Sequence, residues 1–220
     1  RNGLRLAIAA TAACAVTTGH IAVAQDNAVG DLTTAVADLA AATAGTPSDL
    51  VITEILPNTT GLDEFEFFEV HNTGTVPATI GAGEYTFAYS YADSTDTTRD
   101  VALDLGAPVT VTPGETVVIW LNYTATNIDS FARSEQEFRD FYGMDDSARI
   151  FRATGQNGMA NGGDRGIRIL HNGEVSSWSH YPSGSAGVQL GIEFALPVAG
   201  EHSAVPVRTQ TAPTPGVITA

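Results

Sequence analysis

From residue 50 onward, short apolar runs alternate with turn residues along the chain. Residues 84–91 show the clearest period of two, because every second residue is Tyr or Phe, which places these aromatics on one face of an extended strand. Alternation of this kind, bounded by Pro, Gly, Asn and Asp, predicts β-strands. The predicted strands are 50–56, 65–72, 84–91, 109–111, 115–122, 149–152, 166–170, 174–181, 187–194 and 205–208.

Two of these segments carry stronger signals than alternation alone. Residues 117–120 are apolar without a break, which predicts a central strand that is buried on both faces. Asn172-Gly173 separates two alternating runs, and both residue types accept the positive φ of a tight hairpin turn. The pattern therefore predicts an all-β fold, with the strands packed as a β-sandwich.

Residues 127–143 interrupt the strand pattern with helical spacing. Ser134 and Glu137 have the spacing of a capping box, Phe138 begins an aromatic stripe that continues through residues 141 and 142, and Gly143 is a typical helix stop. We expect one short inserted helix that docks on the sheets through its aromatic side chains.

The N-terminal region has the composition of an export signal. Residues 1–24 combine two arginines, a short apolar stretch and small residues before Gln25, which predicts a cleaved signal peptide and a secreted protein without a membrane span. Two other interpretations stay open: a buried N-terminal helix, or a lipoprotein acylated at Cys14, the single cysteine. Residues 25–48 are rich in Ala, Thr and Asp and predict a linker, followed by a folded domain at 49–216 and a tail at 217–220.

Charge restricts the partners of such a protein. The chain carries 10 Lys+Arg and 25 Asp+Glu, a formal net charge of −15, and it contains no lysine. Without residues 1–24, 8 arginines remain against 25 acidic residues, which gives −17. Such a surface repels phosphate backbones and anionic membranes, so nucleic acid is an unfavourable partner.

Motifs for catalysis or phosphate binding are incomplete. Residues 183–187 lack the first glycine of a serine elbow, and the glycine-rich residues 161–166 lead into a strand and lack the lysine of a phosphate loop. The histidines beyond the signal do not pair at metal-ligand spacing; they are His71, His171, His180 and His202. We therefore expect no catalytic residue and no cofactor site.

Acidic residues at the start of the domain give a weak candidate for a metal site. Glu54, Asp63, Glu64, Glu66 and Glu69 would lie close together if the first two strands pair, and carboxylate oxygens are the ligands of Ca²⁺. A solvated charged face of a sheet is the favoured interpretation. A second hypothesis concerns aromatics that could stack on sugars or pack in the core: Trp120, Trp178, Tyr89, Tyr91 and Tyr181.

The order of several motifs resembles the lamin tail family. These motifs are the Ile-x-Glu strand within 50–58, Phe-x-Glu-x-x-Asn within 66–72, the Pro-Gly turn within 111–115, and the Thr-Pro-Gly closing sequence at 214–216. Residues 138–143 and 158–166 resemble insertions of a bacterial subgroup, in which the domain often precedes a calcineurin-like metallophosphoesterase domain. The resemblance spans about residues 48–216.

This resemblance implies an immunoglobulin-like β-sandwich used for binding or tethering, without catalytic residues. The conspicuous family positions are Ile52, Glu54, Phe68, Glu69 and Asn72, and each has a structural explanation, such as an Asn that satisfies backbone groups at a turn. DNA association, known for nuclear lamin tails, does not suit the acidic charge. The expected function is a non-catalytic exported module that contacts a protein or a cell-envelope component. An accessory domain of a secreted metallophosphoesterase or nuclease, and a calcium-dependent surface or carbohydrate binder, are the alternatives.

Overall fold

Two β-sheets packed face to face form the domain in the computed structural model, which describes residues 50–91, 96–196, 203–204 and 206–218. The strands are β1 (Leu50–Leu56), β2 (Phe67–Asn72), β3 (Ala78–Ile80), β4 (Tyr85–Tyr91), β5 (Val101–Leu103), β6 (Val109–Val111), β7 (Thr116–Leu121), β8 (Thr124–Ala125), β9 (Ile128–Asp129), β10 (Arg149–Ala153), β11 (Arg165–His171), β12 (Glu174–Tyr181), β13 (Gly191–Phe194), β14 (Ser203–Ala204) and β15 (Pro206–Thr211). One α-helix, α1, spans Glu135–Tyr142, and 3₁₀ turns lie at Thr97–Arg99 and Ser130–Ala132. The prediction of an all-β sandwich with one short helix is confirmed for this part of the chain.

The two sheets have different strand orders. Sheet A has the order β10-β7-β2-β1-β13-β15, and sheet B has the order β14-β12-β11-β4-β3-β6, with β5 paired to β4. Most neighbours are antiparallel, but β10 runs parallel to β7, β3 to β4, and β14 to β12. Strand β10 pairs with β7 along five residues, so the chain must return along the length of β7 before β10 begins, and this return requires a crossover. Helix α1 lies in that crossover.

The main core fills the space between the sheets. Buried side chains from both sheets meet there, including Ile52 and Phe68 from sheet A and Phe87 and Ile169 from sheet B. Removing apolar surface from water contributes about 25 cal/mol per Å², so this layer supplies most of the driving force for folding. The aromatic alternation in β4 places three of its four rings in this core, and Tyr91 stays partly exposed.

The central strands of sheet A are buried on both faces. In β7, Val117 and Ile119 point into the main core, whereas Val118 and Trp120 point to the opposite face and join a second apolar cluster. This arrangement confirms the prediction made from the unbroken apolar run. A strand of this kind needs a cover on its outer side, and the inserted helix provides it.

Helix α1 covers the outer face of sheet A with its aromatic side. Phe138 is fully buried, with its ring centroid 4.9 Å from that of Trp120 and 6.0 Å from that of Phe67. The capping box between Ser134 and Glu137 is formed at the start of the helix. At its end, Gly143 adopts φ 67°, a left-handed conformation that suits glycine. The predicted helix signals are therefore confirmed.

The tight hairpin is also confirmed. Strands β11 and β12 are joined by Asn172 and Gly173, which both have positive φ, 52° and 87°. The sequence missed the short strands β3, β5, β8, β9 and β14, since runs of two or three residues carry too little alternation to detect. Residues 187–190 were predicted as strand, but only Gly191–Phe194 form β13, because Gln189 has positive φ and a turn precedes it.

The predicted signal peptide (1–24) and linker (25–48) lie outside the described residues, as does His202. Within the described residues, no helix has the length and apolar character needed to cross a bilayer.

Candidate functional site

The five acidic residues predicted from the sequence occupy separate surroundings. Glu54 and Glu69 lie on the outer face of sheet A, beneath the C-terminal segment. Asp63, Glu64 and Glu66 lie in the segment just before β2, near the glycine-rich loop and the start of the helix. The described residues contain no group of three or more His, Cys, Asp or Glu arranged to hold a metal ion.

Glu54 binds the C-terminal segment from within strand β1. Its Oε2 accepts a hydrogen bond from the backbone N–H of Thr214 at 3.1 Å, and the residue is 1% exposed. Its Oε1 has no hydrogen-bond partner and packs against Gly191, where an added Cβ would lie only 2.0 Å away. Burial, reinforced by the negative charge of Glu69, raises the pKa of Glu54 to about 8.

Glu69 binds the same segment from the neighbouring strand β2. Its Oε1 accepts a hydrogen bond from the backbone N–H of Gly216, and its Oε2 accepts one from Thr53 Oγ1 at 2.9 Å. Burial raises the pKa of Glu69 to about 7, although these hydrogen bonds favour the ionised form and limit the shift. Glu54 and Glu69, together with Thr214 and Gly216, are called the carboxylate clasp below.

A third buried carboxylate lies beside the clasp. Glu193 on β13 pairs in register with Glu54 on β1. It forms an ion pair with Arg208 on β15, and its side chain is 5% exposed. In the part of the chain that the structure describes, the ion pairs do not include Glu54 or Glu69. The outer face of sheet A therefore concentrates three buried carboxyl groups near the place where residues 214–216 dock.

Glu66 anchors the glycine-rich loop rather than the C-terminal segment. It is fully buried, and its Oε1 accepts the backbone N–H of Met159 at 2.9 Å. Burial raises the pKa of Glu66 well above its usual range. Gly158 is required beside it: a Cβ there would lie 2.8 Å from Tyr123 Oη and 3.2 Å from Glu66 Oε2. The loop is thus held against the core by a buried carboxylate.

Asp63 and Glu64 also bind parts of their own chain. Asp63 Oδ1 accepts the backbone N–H of Thr59 at 2.8 Å, and its Oδ2 accepts Asn161 Nδ2 at 3.2 Å. Glu64 forms an ion pair with Arg133, with 2.7 Å between Oε2 and Nη2. The interpretation of this acidic group as a solvated sheet face is wrong for Glu54, Glu66 and Glu69, because these strand faces are covered by the C-terminal segment and by the glycine-rich loop.

Asn72 has the turn role that the resemblance implied. Its Nδ2 donates to the backbone carbonyls of Val76 at 3.0 Å and Val111 at 2.8 Å, and its Oδ1 accepts the N–H of Gly74 at 2.8 Å. The side chain therefore satisfies three backbone groups where β2 ends.

The sequence analysis missed Glu193. Its position between the apolar residues 192 and 194 was a signal, because side chains alternate along a strand and a carboxylate between two core residues lies on the opposite face.

The outer face of sheet B carries a different group of side chains. Trp178 on β12 is partly exposed, and its Nε1 donates to Ser90 Oγ at 3.0 Å. The guanidinium of Arg168 lies 4.8 Å from the centre of the indole and forms a buried ion pair with Asp100. The ring of His180 lies 5.2 Å from that of Trp178, at 32° to it.

The five aromatic residues for which the sequence allowed either sugar stacking or core packing fall into a buried and a partly exposed group. Trp120, Tyr89 and Tyr181 are buried in the core, with at most 2% exposure. Tyr91 is partly exposed, but the guanidinium groups of Arg99 and Arg165 each lie 4.2 Å from its ring centre. Tyr91 and Trp178 are therefore the two members of this set that are partly exposed.

The remaining candidate groups make local contacts. His71 Nδ1 lies 3.0 Å from Thr116 Oγ1, and His171 stacks on Tyr85 with 4.4 Å between ring centroids. Ser185 Oγ donates to the carbonyl of Pro182 at 2.6 Å, within its own turn. These contacts are the local hydrogen bonds and ring packing expected of turns and strand ends.

In comparisons with known proteins, no protein-family model matches the chain and no curated protein shows significant similarity to it.

Proposed function

We propose that this chain is a non-catalytic binding or positioning module, of immunoglobulin-like lamin-tail type, that is exported from a bacterial cell. Its partner would be a protein or a component of the cell envelope. The sandwich provides a rigid scaffold, and contact with the partner takes place through exposed strand faces and loops. The strongly acidic composition favours a partner other than nucleic acid.

The carboxylate clasp is the observation that carries this proposal. The glutamates of the two opening motifs, Glu54 and Glu69, both bind backbone amides of the closing Thr-Pro-Gly sequence. Three sequence features that resemble the lamin tail family therefore meet at one place and stabilise the fold. Side chains that bind other parts of their own chain in this way stabilise a scaffold. This use of Glu54 and Glu69 supports a positioning role for the domain.

Binding and turnover measurements on the 220-residue chain test the proposal together. We expect saturable binding to envelope fractions of the source cells, lost when the protein is first heat-denatured. We also expect no hydrolysis of phosphomonoester, phosphodiester, ester or glycoside substrates, with or without divalent metal ions. Metal-dependent turnover that follows the purified protein through chromatography would overturn the proposal.

A second candidate is an accessory domain that positions a metallophosphoesterase or nuclease domain in a longer chain. The clasp favours it, because residues 214–216 are held on sheet A by two buried carboxylates. A domain that followed in the same chain would leave the sandwich from a fixed point. Sequencing the gene past codon 220 tests this candidate: a stop codon there, without a neighbouring phosphoesterase gene, would eliminate it.

A further inference from the structure

Two arginines stack on the ring of Tyr91 at the end of β4. The guanidinium carbons of Arg99 and Arg165 each lie 4.2 Å from the centre of that ring. Two guanidinium groups cannot share one face of a phenol ring at this distance without overlapping, so they lie on opposite faces of it. The two cations are therefore no more than twice 4.2 Å apart, and all three side chains are at least partly exposed.

These two arginines differ from the other arginines that the structure describes, because they lack an acidic partner. Five of the others form ion pairs: Arg133, Arg139, Arg149, Arg168 and Arg208. Arg152 stacks on the buried ring of Trp120 and donates to Asn122 Oδ1. Within the described residues, Arg99 and Arg165 form no ion pair, so their charges are not neutralised by a neighbouring carboxylate.

The acidic residues next to this pair in the sequence bind backbone groups instead. Asp96 caps the 3₁₀ turn at 97–99, and its Oδ1 accepts a backbone N–H of that turn at 3.0 Å. Asp164 Oδ1 accepts the backbone N–H of Ser183 at 3.2 Å, while its own carbonyl accepts Arg165 Nη1 at 2.9 Å. Since a guanidinium has five N–H donors, most donors of the pair stay available to a ligand.

The hydroxyl of Tyr91 completes the set of donors. It forms no hydrogen bond within the part of the chain that the structure describes, and it lies in the ring plane, between the two guanidinium layers. An oxyanion at this edge of the ring can therefore meet one donor in the plane, one above it and one below it. Three such directions suit a tetrahedral oxyanion with three free oxygens better than a planar carboxylate with two. Two guanidinium charges also match the charge of a phosphomonoester, which approaches −2 at neutral pH.

We propose that Arg99, Tyr91 and Arg165 form a binding site for the dianionic phosphate group of a phosphomonoester. The site goes beyond the proposed function and does not depend on it. The net charge of −15 opposes a polyanion, because many of its charges would face the acidic surface at once. A single phosphate group contacts only the two guanidiniums, and salt screens more distant carboxylates over about 8 Å at physiological ionic strength.

Isothermal titration calorimetry of the 220-residue chain at pH 8 and low ionic strength tests the site with four probes. These are inorganic phosphate, glycerol 3-phosphate, dimethyl phosphate and acetate. We expect the first two to bind. Dimethyl phosphate and acetate carry one charge each and should bind at least about tenfold more weakly, because they cannot engage both guanidiniums fully. Glycerol 3-phosphate distinguishes the sources of phosphate: binding of inorganic phosphate without binding of this ester would overturn the proposal.

Variants of the three residues locate the binding. Arg99→Gln and Arg165→Gln should each weaken binding of glycerol 3-phosphate by about tenfold or more, because each removes one charge-assisted fork. Tyr91→Phe keeps the stacked ring and loses only the hydroxyl, so its loss should be smaller. The matched control is Arg149→Gln, which makes the same charge change at a 45% exposed side chain paired with Glu115. It should bind like the original protein.

Arg99 is exposed in a short turn, so Arg99→Gln should keep the melting temperature of the original protein and remain a valid test even if Arg165→Gln fails to fold. The proposal is overturned if neither phosphate probe gives binding heat at millimolar concentration. It is also overturned if Arg99→Gln binds as well as the original protein, or if Arg149→Gln loses as much affinity, since net charge would then explain the effect. Equal binding of acetate or dimethyl phosphate would overturn the assignment to a dianion.

Discussion

The carboxylate of Glu54 accepts a hydrogen bond from the backbone N–H of Thr214, at a separation of 160 residues in the chain. This contact joins the first strand of the sandwich to its last described segment. Because the carboxylate is buried beside Glu69, its protonation state and the attachment of the C-terminal segment are coupled. The coupling leads to predictions about pH.

The stability of the domain should fall as pH rises through the neutral range. Folding raises the pKa of Glu54 to about 8 and that of Glu69 to about 7, from a usual value of 4.5. Between about pH 4.5 and these values, the folded state binds protons that the unfolded state has released, so raising the pH favours unfolding. Each pH unit in this window costs up to about 1.4 kcal/mol for each such group.

Thermal unfolding at pH 5.5, 7 and 9 measures this effect. We expect the melting temperature to decrease steadily across the series. A melting temperature that rises from pH 5.5 to pH 9 would contradict the assignment of these carboxyl groups as buried and partly protonated.

Replacing Glu54 by Gln should remove part of that pH dependence. The amide keeps an oxygen that can accept the N–H of Thr214, but it carries no charge at any pH. At pH 9, Glu54→Gln should therefore be more stable than the original protein by about 1–3 kcal/mol, the cost of burying an unpaired polar or charged group. Urea denaturation at pH 5.5 and pH 9 provides the comparison.

The matched control is Glu174→Gln, because Glu174 is exposed at the start of β12. It should leave both the stability and its pH dependence nearly unchanged. Equal behaviour of the two variants would show that Glu54 does not carry the effect.

Truncating Phe138 should detach the helix from sheet A. This ring is fully buried and contacts Trp120, Phe65 and Phe67. Phe138→Ala leaves a cavity in a covered layer and should cost about 3–5 kcal/mol. Phe131→Ala, a similar change at a 52% exposed ring just before the helix, should cost under about 0.5 kcal/mol. Urea unfolding of both variants measures the difference, and similar losses would show that the helix is not anchored by Phe138.

Adding a methyl group at Gly166 should disrupt the packing of β11 against β12. A Cβ there would lie 2.3 Å from the carbonyl oxygen of Ser179 and 2.9 Å from the Cα of His180. These are backbone atoms that a side-chain rotation cannot move, so Gly166→Ala should destabilise the domain by about 1–3 kcal/mol. Gly162→Ala is the control, because a Cβ at that position meets open space. Comparable melting temperatures for the two variants would contradict this close approach.

The sequence predicted those parts of the fold that depend on local chemistry. The capping box at Ser134 and Glu137, the stop at Gly143 and the Asn172-Gly173 turn each rest on a few neighbouring residues, and the structure has all of them. The bounds of β1 also agreed, because Pro57 ends its apolar run.

The candidate site depended on contacts between distant residues, which local patterns do not contain. Glu54 and Glu69 look like solvated residues of half-exposed strands until the C-terminal segment covers them. Pairing of β1 with β13, which brings in Glu193, is likewise non-local. The sequence therefore identified the acidic residues but assigned them the wrong surroundings.

The parallel alignment of β10 and β7 has a consequence for how the chain can change in length. Antiparallel neighbours can be joined by two residues, so their connections tolerate shortening, whereas a parallel neighbour must be approached from the opposite end of the sheet. The segment that contains α1 is the return path, and it cannot be reduced to a tight turn without reversing β10. Length variation in this domain should accordingly be absorbed by loops between antiparallel strands, while the crossover between β7 and β10 keeps a minimum length set by the length of the strands along which it returns.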